Sequence, residues 1–320
     1  MRNKKPYISF VVVGRNDNYG YRFLERFQIF LDSLTYLCEK YRLDSELIVV
    51  EWNPPMNTKK LYDVLKIKRN RKYLDIRFLE VPNKIHNTLE RSNKIPLFEY
   101  IGKNVGIRQA RGEFILITNP DMIISDEIIR EISDKKLDGN TLYRADRFDV
   151  PVDVPDNLNV QQIENFCEKS WFACWSVRWG RYFRGLAFVK NLRRFLMRAV
   201  AKLVPGYSYL KYHGGAPGDF MLISKNGWWE ISGFFEDVKS FGIDDSYGCI
   251  ASVASGNKFK IMRGKTYHQF HECHREGRIT CSLREYREDV KNMLAGKRYS
   301  VKDNDSDWGL NKYKLKEKVF

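Results

Sequence analysis

Residues 103–121 read KNVGIRQARGEFILITNPD. Residues 99–108 are predicted to form a helix, and Gly112 follows as a typical stop signal. Residues 114–118 form a short apolar run, which predicts a buried strand. Asn119-Pro120-Asp121 is the turn at the carboxyl end of that strand. The stretch therefore predicts a helix, a strand and a polar turn in succession, as in the repeating units of α/β sheets.

The rest of the N-terminal half continues this alternation. Short apolar, β-branched runs predict buried strands at 8–13, 47–50 and 76–81. Apolar residues at helical spacing predict a long helix at 23–41, and shorter helices are expected at 61–65 and 126–132. We therefore expect an α/β fold with a central, mostly parallel sheet flanked by helices.

Composition limits the classes of protein that the chain can represent. Of its 320 residues, 43% are apolar, with 20 Phe, 18 Tyr and 7 Trp, so it can bury a sizeable core and is not disordered as a whole. The net charge is +15, from 55 basic and 40 acidic residues. This excess favours polyanionic partners: nucleic acid, diphosphates or an acidic membrane surface.

Cysteine usage and hydropathy indicate the compartment. The six cysteines contain no Cys-x-x-Cys pair, a distribution typical of reduced cytosolic thiols. The first residues lack the apolar region of a signal peptide, and no segment reaches the roughly 18 apolar residues of a spanning helix. We therefore expect a cytoplasmic protein that can be peripheral on the inner face of a membrane.

Polar residues follow three of the predicted strands. They are Arg15-Asn16-Asp17, Glu51 and Asn119-Pro120-Asp121. Ligands of parallel sheets bind beyond the carboxyl ends of the strands, so these residues are candidates for a common site. Asp121 offers a hard oxygen ligand for Mg²⁺ or Mn²⁺ on a diphosphate. The alternative is an ordinary turn with a capping Asp.

Two further groups of residues have side chains suited to catalysis or metal binding. Asp244-Asp245 precedes a helical pattern, where a carboxylate can act as a general base or merely cap the helix. His268 and His271 can supply imidazole ligands to a metal, with His274 beyond them. Their spacing also suggests zinc, but no matching Cys pair exists. Isolated histidines are more often ordinary surface or core residues.

Residues 213–219 form a loop with three glycines and a proline that can approach a sugar closely. Gly218 and Asp219 in this loop are candidate acceptor contacts, although the loop can also be a plain connector. Trp228 and Trp229 follow it. Aromatic faces stack on sugars, but adjacent tryptophans can equally belong to the core.

These residues, taken in order, resemble the family 2 glycosyltransferases, over about residues 8–271. Residues 104–115 are similar to the family pattern Asn-x-Gly-x-x-x-Ala-x-Gly-Glu-x-Ile that leads to its metal motif. Residues 232–236 resemble its later Gly-Gly-Phe-Asp-Glu element, which makes Glu236 an acceptor candidate. Asp244-Asp245 falls where the family has Glu-Asp.

The resemblance implies a GT-A fold and a role for each matching residue. Asp245 would be the catalytic base, with Asp244 beside it, and Asp121 would bind the metal together with His268 or His271. Residues implied in donor binding are Gly14, Arg15, Asn16, Glu51, Asn104, Arg108, Asn119 and Asp121. Asn119 stands where the family usually has Asp, so Asp121 should make most of the direct metal contact from that motif.

The implied activity is transfer of a sugar from a nucleotide-diphosphate sugar, with UDP favoured, to a hydroxyl of a glycan or lipid-linked acceptor in cell-surface polysaccharide or glycan synthesis. The implied metal is Mn²⁺ or Mg²⁺, and inversion is favoured. A retaining GT-A enzyme, such as the exostosin-like group, is the alternative and would remove the role of Asp245 as base. A basic nucleic-acid-binding protein is a second alternative, but it leaves Asp121 and Asp245 without a purpose, so no nucleic acid is expected.

The resemblance and the composition together imply a domain organisation. Residues 1–295 would form one domain, with a nucleotide-binding half at about 1–145 and an acceptor-binding half at about 146–295. Residues 296–320 would form a charged, loosely held tail. The segment 169–218 contains no Asp or Glu, and its helical part at about 169–211 is strongly basic. Residues 178–211 could lie on an anionic membrane or pack over the acceptor cleft.

Overall fold

The computed structural model describes residues 5–155, 157–177, 180–186, 196, 203, 218–236, 244–271, 282–296 and 304–320. Eleven strands in these ranges form one sheet. They are β1 Ile8–Gly14, β2 Ser45–Trp52, β3 Leu74–Val81, β4 Phe114–Ile117, β5 Met122–Ile124, β6 Thr141–Val150, β7 Ala173–Ser176, β8 Gly180–Phe183, β9 Met221–Ser224, β10 Lys258–Gln269 and β11 Lys316–Val319.

Helices connect and cover these strands. Those in the described ranges are α1 Phe23–Lys40, α2 Leu61–Val64, α3 Asn83–His86, α4 Glu99–Gln109, α5 Asp126–Ser133, α6 Val160–Ser170, α7 Lys225–Glu230, α8 Asp244–Ala254 and α9 Leu283–Leu294, with a 3₁₀ turn at Arg184–Leu186. The helices and strands predicted for the N-terminal half all exist, with boundaries that differ by at most two residues.

The sheet has a parallel part and a mixed part. Its order is β11-β3-β2-β1-β4-β9-β6-β10-β5, with β7 paired to β6 and β8 paired to β7. Strands β3, β2, β1 and β4 run parallel, whereas β9 is antiparallel to both β4 and β6. Strand β10 is parallel to β6 and antiparallel to β5. The expected α/β fold with a central, mostly parallel sheet is confirmed for the N-terminal half.

Helices cover both faces of the parallel part, which explains why its strands are apolar throughout. On one face α1 packs Phe27, Phe30 and Leu34 against the strands. On the other face α4 lies so close to β1 that a Cβ at Gly106 would stand 2.2 Å from a Val11 methyl carbon. The glycine of the Asn-x-Gly pattern therefore permits close helix–sheet packing.

The expectation of a loosely held tail is wrong for residues 304–320. Trp308 and Leu310 are buried in the core on the α4 face of the sheet. Strand β11 then pairs antiparallel with β3 and covers the edge of the sheet. The high charge of this segment suggests exposure to solvent, but burial of its few apolar residues holds the segment in place.

Other expectations fall partly outside the described residues. Most of the basic segment 178–211 and residues 213–217 lie outside them, as does His274. The described cysteines, Cys38, Cys167, Cys174 and Cys249, are buried free thiols. Within the described ranges, no helix combines the length and the hydropathy needed to cross a membrane.

Candidate functional site

Three residues meet at the carboxyl edge of the sheet: Asp121, His268 and His271. Asp121 follows β4 and directly precedes β5, while His268 lies in β10 and His271 just beyond it. In the sheet His268 is paired with Met122 of β5, the residue after Asp121. All three residues are buried. The pairing of β10 with β5 therefore brings together residues almost 150 positions apart in the chain.

The distances between these side chains are short. His271 Nε2 lies 2.9 Å from Asp121 Oδ2, and His268 Nε2 lies 3.7 Å from the same atom. Ligand atoms from the three residues all lie within 4.8 Å of one another. We call Asp121, His268 and His271 the Asp121 cluster.

Asp121 stays ionised in this buried place. Burial by itself raises the pKa of the Asp121 carboxyl, but His268 and His271 outweigh it and hold the pKa well below its ordinary value. Arg26 of α1 adds an ion pair, with Nη1 at 2.9 Å from Oδ2. The other oxygen, Oδ1, is buried, and no hydrogen bond reaches it within the part of the chain that the structure describes. A buried carboxylate oxygen without a partner is costly, so it is a candidate ligand atom.

His268 is fixed from its other side. Its Nδ1 lies 3.1 Å from Asp149 Oδ1 in β6. Burial and Arg147 lower the pKa of His268, but Asp121 and Asp149 outweigh them and raise it above the ordinary value. Burial raises the pKa of Asp149, whereas His268 and Arg147 lower it, with a net lowering.

A polar network extends from this cluster to the acceptor candidate Asp219. Arg147 Nη1 donates to Asp219 Oδ2 at 2.6 Å, and Asn119 Nδ2 donates to Asp219 Oδ1 at 2.9 Å. Arg147 Nε also lies 3.0 Å from Asp149 Oδ1. Asn119 thus contacts Asp219, and the expectation that Asp121 supplies the metal contact of this motif stays a prediction.

The loop between β1 and α1 covers His271. Gly20 has φ +68°, and a Cβ there would stand 2.1 Å from His271 Nδ1, so no other residue fits without a shift. The Tyr19 ring meets the His271 imidazole edge-on at 5.2 Å between centroids. Arg26 Nε donates to Tyr21 O, and Arg26 Nη2 donates to Tyr19 O. Arg26 therefore ties this loop to Asp121.

The Asp121 cluster fits a divalent cation. Two atoms that bind one ion at roughly 2.1 Å each lie no more than about 4.2 Å apart. Both imidazole–carboxylate distances meet this limit, and the three ligand atoms as a set lie within 4.8 Å of one another. Two imidazole nitrogens make this set of ligands a poor match for Mg²⁺, which prefers oxygen ligands. The unpartnered Asp121 Oδ1 supplies a further donor atom.

The residues expected to line the nucleotide pocket lie at the ends of β1 and β2. Arg15 Nε donates to Asn53 O and Arg15 Nη1 pairs with Asp17, while Asn16 Nδ2 donates to Lys59 O. A Cβ at Gly14 would stand 3.2 Å from the Phe23 ring. Their nucleotide contacts stay predictions.

Glu51 is fully buried at the end of β2. Its Oε1 accepts from Leu61 N at 2.8 Å, and its buried Oε2 has no hydrogen-bond partner among the described residues. Burial raises the pKa of Glu51 to about 7, against the opposing effect of Leu61 N–H. Its predicted contact with the nucleotide base is untested.

Three other candidate residues, Asn104, Arg108 and Glu236, lie together against residues 304–309. Asn104 Nδ2 donates to Phe234 O and to Glu236 Oε1, and Gly309 N donates to the same Glu236 oxygen at 2.7 Å. Arg108 stacks on Trp308 and Trp229, at 4.4 and 5.1 Å from their ring centroids. We call Asn104, Glu236 and Gly309 the Glu236 cluster. The observed partners of these side chains are protein groups.

The predicted base Asp245 lies against the acceptor candidate Gly218, whereas the acceptor candidate Trp228 belongs to the core. Asp245 lies in the first turn of α8, which Asp244 begins, and a Cβ at Gly218 would stand 2.3 Å from Asp245 Cβ. Burial raises the pKa of Asp245, although Arg144 opposes it. Trp228 is fully buried and its indole N–H donates to Ile115 O, whereas Trp229 is partly exposed.

Sequence reasoning missed Arg26, Asp149 and Arg147. Each has a signal in the sequence that could have found it. Arg26 shares a helical face with Phe23 and Phe30, and Arg147 and Asp149 interrupt an otherwise buried strand. A charged residue at a buried position needs a partner, and here the partners are Asp121, His268 and Asp219.

No family model matches the sequence, and neither does any curated protein. Among solved structures, the chain is similar to residues 1–349 of S. aureus TarS in complex with UDP-GlcNAc, with a TM-score of 0.50 and 13% identity over 95% of this chain and 70% of that chain. The UDP complex of the same TarS fragment gives a TM-score of 0.46 and 14% identity over 95% and 70%. The first of these similarities confirms the expected GT-A type of α/β fold.

Proposed function

We propose that the chain is a metal-dependent glycosyltransferase that moves a sugar from a UDP-sugar to a hydroxyl group. The observation that carries this proposal is the Asp121 cluster at the carboxyl edge of the sheet, where ligands of α/β folds bind. The fold similarity to TarS, which was crystallised with UDP-GlcNAc, supports a UDP-sugar as the donor.

Asp121, His268 and His271 would hold Mn²⁺, which would neutralise charge on the departing diphosphate. Arg26 keeps the Asp121 carboxylate oriented and holds the loop before α1 against His271. Gly14, Arg15, Asn16 and Glu51, at the ends of neighbouring parallel strands, would line the nucleotide pocket.

Asp245 would take the proton from the acceptor hydroxyl while that oxygen bonds to the anomeric carbon of the sugar and the bond to the UDP diphosphate breaks. This single displacement inverts the configuration at the sugar. Two observations support this role. Asp245 lies beside Gly218, next to Asp219, which Arg147 and Asn119 connect toward the Asp121 cluster. Burial raises the pKa of Asp245, and a raised pKa makes a carboxylate a better base at neutral pH.

The acceptor would be a glycan or a lipid-linked glycan in polysaccharide synthesis at the cytoplasmic face of a membrane. Support comes from the basic composition of residues 169–218. Sedimentation with anionic and with neutral liposomes tests the membrane contact. Binding to anionic vesicles alone supports it, and equal recovery in the supernatant from both contradicts it.

A donor-hydrolysis screen tests the proposed activity. The purified chain is incubated with UDP-, GDP- and TDP-sugars, with Mn²⁺ and with EDTA, and the nucleotide released is measured. We expect release from a UDP-sugar with Mn²⁺ only. Absence of hydrolysis and of thermal stabilisation by every nucleotide, together with a salt-sensitive shift on random duplex DNA, would favour a nucleic-acid-binding protein instead.

An Asp245→Asn variant tests the role of the base once an acceptor is found. We expect unchanged stabilisation by UDP and Mn²⁺ but loss of transfer, because the amide cannot accept the hydroxyl proton. NMR of the product gives the anomeric configuration. Retention, or normal transfer by Asp245→Asn, would rule out the proposed base.

A further inference from the structure

We propose that Asp149 is a positioning residue that orients His268 for metal binding, an inference that rests on the metal site of the proposed function. Asp149 and His268 are direct partners in the parallel pairing of β6 and β10. Their side chains meet on the same face of the sheet, with Asp149 Oδ1 at 3.1 Å from His268 Nδ1. A shift of one residue in this register would turn His268 to the opposite face.

This contact selects the tautomer of the neutral imidazole. A carboxylate oxygen only accepts, so Nδ1 must carry the proton that it donates to Asp149. The lone pair of the neutral ring then lies on Nε2, the nitrogen that faces Asp121 Oδ2 at 3.7 Å. That distance is too long for a hydrogen bond, so Nε2 is available to a metal ion.

The Asp149 carboxylate is itself held in one orientation. Its Oδ2 accepts from Trp175 Nε1 at 2.9 Å, and its Oδ1 lies 3.0 Å from Arg147 Nε. Arg147 is in turn paired with Asp219, 2.6 Å away. Because both Asp149 oxygens have partners, the carboxylate cannot rotate without losing a contact.

A purely structural role explains this arrangement poorly. Asp149 is completely buried, and replacing a buried ion pair by apolar residues is often neutral or stabilising. Metal-binding histidines, by contrast, commonly donate their second N–H to a carboxylate, and loss of such a partner weakens metal binding roughly 10–100-fold. The position of Asp149 behind His268 matches this second arrangement.

Asp149→Asn tests the proposal with Mn²⁺ as the probe and without any turnover. In this variant the amide oxygen can accept from His268, but the amide NH₂ then faces the Trp175 N–H, and two donors cannot form a hydrogen bond. The variant therefore loses one hydrogen bond as well as the negative charge. We expect the Kd for Mn²⁺, measured by EPR of the free ion, to rise roughly 10–100-fold. Pulsed EPR of the bound Mn²⁺ should show coupling to two imidazole nitrogens in the unaltered protein and to one in the variant.

Glu46→Gln is the matched control. Glu46 is an equally buried, Arg-paired carboxylate at the amino end of β2, bonded to Arg77 and Ser9. We expect it to lower stability without changing the Kd for Mn²⁺ or the pulsed EPR spectrum. Trp175→Phe removes the indole N–H that holds Asp149 Oδ2 and keeps an aromatic ring beside Arg147, so Asp149 stays in contact with His268 but is held less firmly. We expect the Kd for Mn²⁺ to rise in this variant, by roughly 2–10-fold.

The outcomes separate this inference from the proposed function. If Asp149→Asn binds Mn²⁺ as tightly as the unaltered protein and keeps both nitrogen couplings, Asp149 does not position His268, while the metal site stands. If Asp149→Asn does not fold, unchanged Mn²⁺ affinity in Trp175→Phe overturns the inference. If the unaltered protein binds no Mn²⁺, the proposed metal dependence and this inference both fail.

Discussion

The Asp121 cluster and the Glu236 cluster each contain a carboxylate from a motif that resembles a glycosyltransferase element, but they surround it differently. Asp121 has Arg26, His268 and His271 as partners, and its pKa is held well below the ordinary value. Glu236 Oε1 instead accepts from neutral amide groups of Asn104 and Gly309, and burial raises its pKa to about 7.

The difference shows how partners decide what a carboxylate can do. Burial opposes ionisation of Asp121, but His268 and His271 outweigh it and hold the pKa well below its ordinary value. The buried Oδ1 has no hydrogen-bond partner among the described residues, so it can face a cation. The donors to Glu236 are neutral amides, so burial prevails and raises its pKa to about 7. The same hydrogen bonds join α4 to the segment 304–320. The comparison predicts that changes in the Asp121 cluster alter metal binding, whereas changes in the Glu236 cluster alter stability.

Deletion of residues 304–320 should have the largest effect. The deletion removes the hydrogen bond from Gly309 to Glu236 and the strand β11. It also removes the buried side chains of Trp308 and Leu310 and exposes the core surface against which they pack. Loss of one buried Trp and one buried Leu lowers the free energy of unfolding by about 5 kcal/mol or more. Urea denaturation measures it, with Val319→Ala in the exposed strand β11 as a mild control. An unchanged midpoint would contradict the described packing.

Asp121→Asn should lower Mn²⁺-dependent UDP-sugar hydrolysis at least about 100-fold, because loss of mere outer-shell partners already costs roughly 10–100-fold. The amide oxygen can still accept from Arg26, so the fold should persist. Donor hydrolysis and Mn²⁺ affinity are measured together. Retention of both would show that the Asp121 cluster is not the metal site.

Glu236→Gln should change the pH dependence of stability. The folded pKa of about 7 lies above the ordinary 4.5, so between these values the folded chain binds more protons and stability falls as the pH rises. Gln removes this fall, which makes the variant more stable by about 1–3 kcal/mol at pH 8 and equal near pH 4.5. Urea unfolding at both pH values measures it.

Burial also raises the pKa of Glu51 to about 7. The stability of the Glu236→Gln protein should therefore still fall in part as the pH rises, because Glu51 still titrates. Addition of Glu51→Gln should remove that part as well. If Glu236→Gln is less stable than the unaltered protein at pH 8, the carboxylate form makes a contact that the neutral form cannot replace, and the raised pKa is wrong.

Arg108→Lys should have the smallest effect. The planar guanidinium stacks on Trp308 and Trp229 and donates to Ser306 O at 2.5 Å, and an ammonium cannot reproduce this. We expect a loss of about 1 kcal/mol in stability and an unchanged KM for the donor. A raised KM with unchanged stability would support the nucleotide contact implied by the family resemblance.

The parallel half of the fold was predictable because its signals are local. The predicted strand at 8–13 is observed as Ile8–Gly14, and the predicted helix at 23–41 as Phe23–Lys40. Apolar runs of this length and spacing leave few alternatives once both sheet faces are covered. Strand β11 was not predicted, because its residues alternate charge and are held by pairing with the distant β3.

The site was predictable only in part, for a related reason. Asp121, His268 and His271 carry ligand atoms that can be recognised by residue type. Asp149 could be recognised from the sequence only as a charge in a buried strand that needs a partner. Its partner His268 is set by the register between β6 and β10, which no local pattern encodes. Arg26 likewise acquires its role only when α1 packs beside the β4–β5 turn.

The late position of β11 in the chain has a consequence for biosynthesis. During translation β1, β2 and β3 emerge long before residues 316–319, so β3 presents an uncovered row of backbone N–H and C=O groups in the meantime. Nascent chains that fold in part expose such edges to one another. A ribosome that stalls before residue 304 would therefore carry an aggregation-prone intermediate, and chaperone demand should fall once β11 has docked.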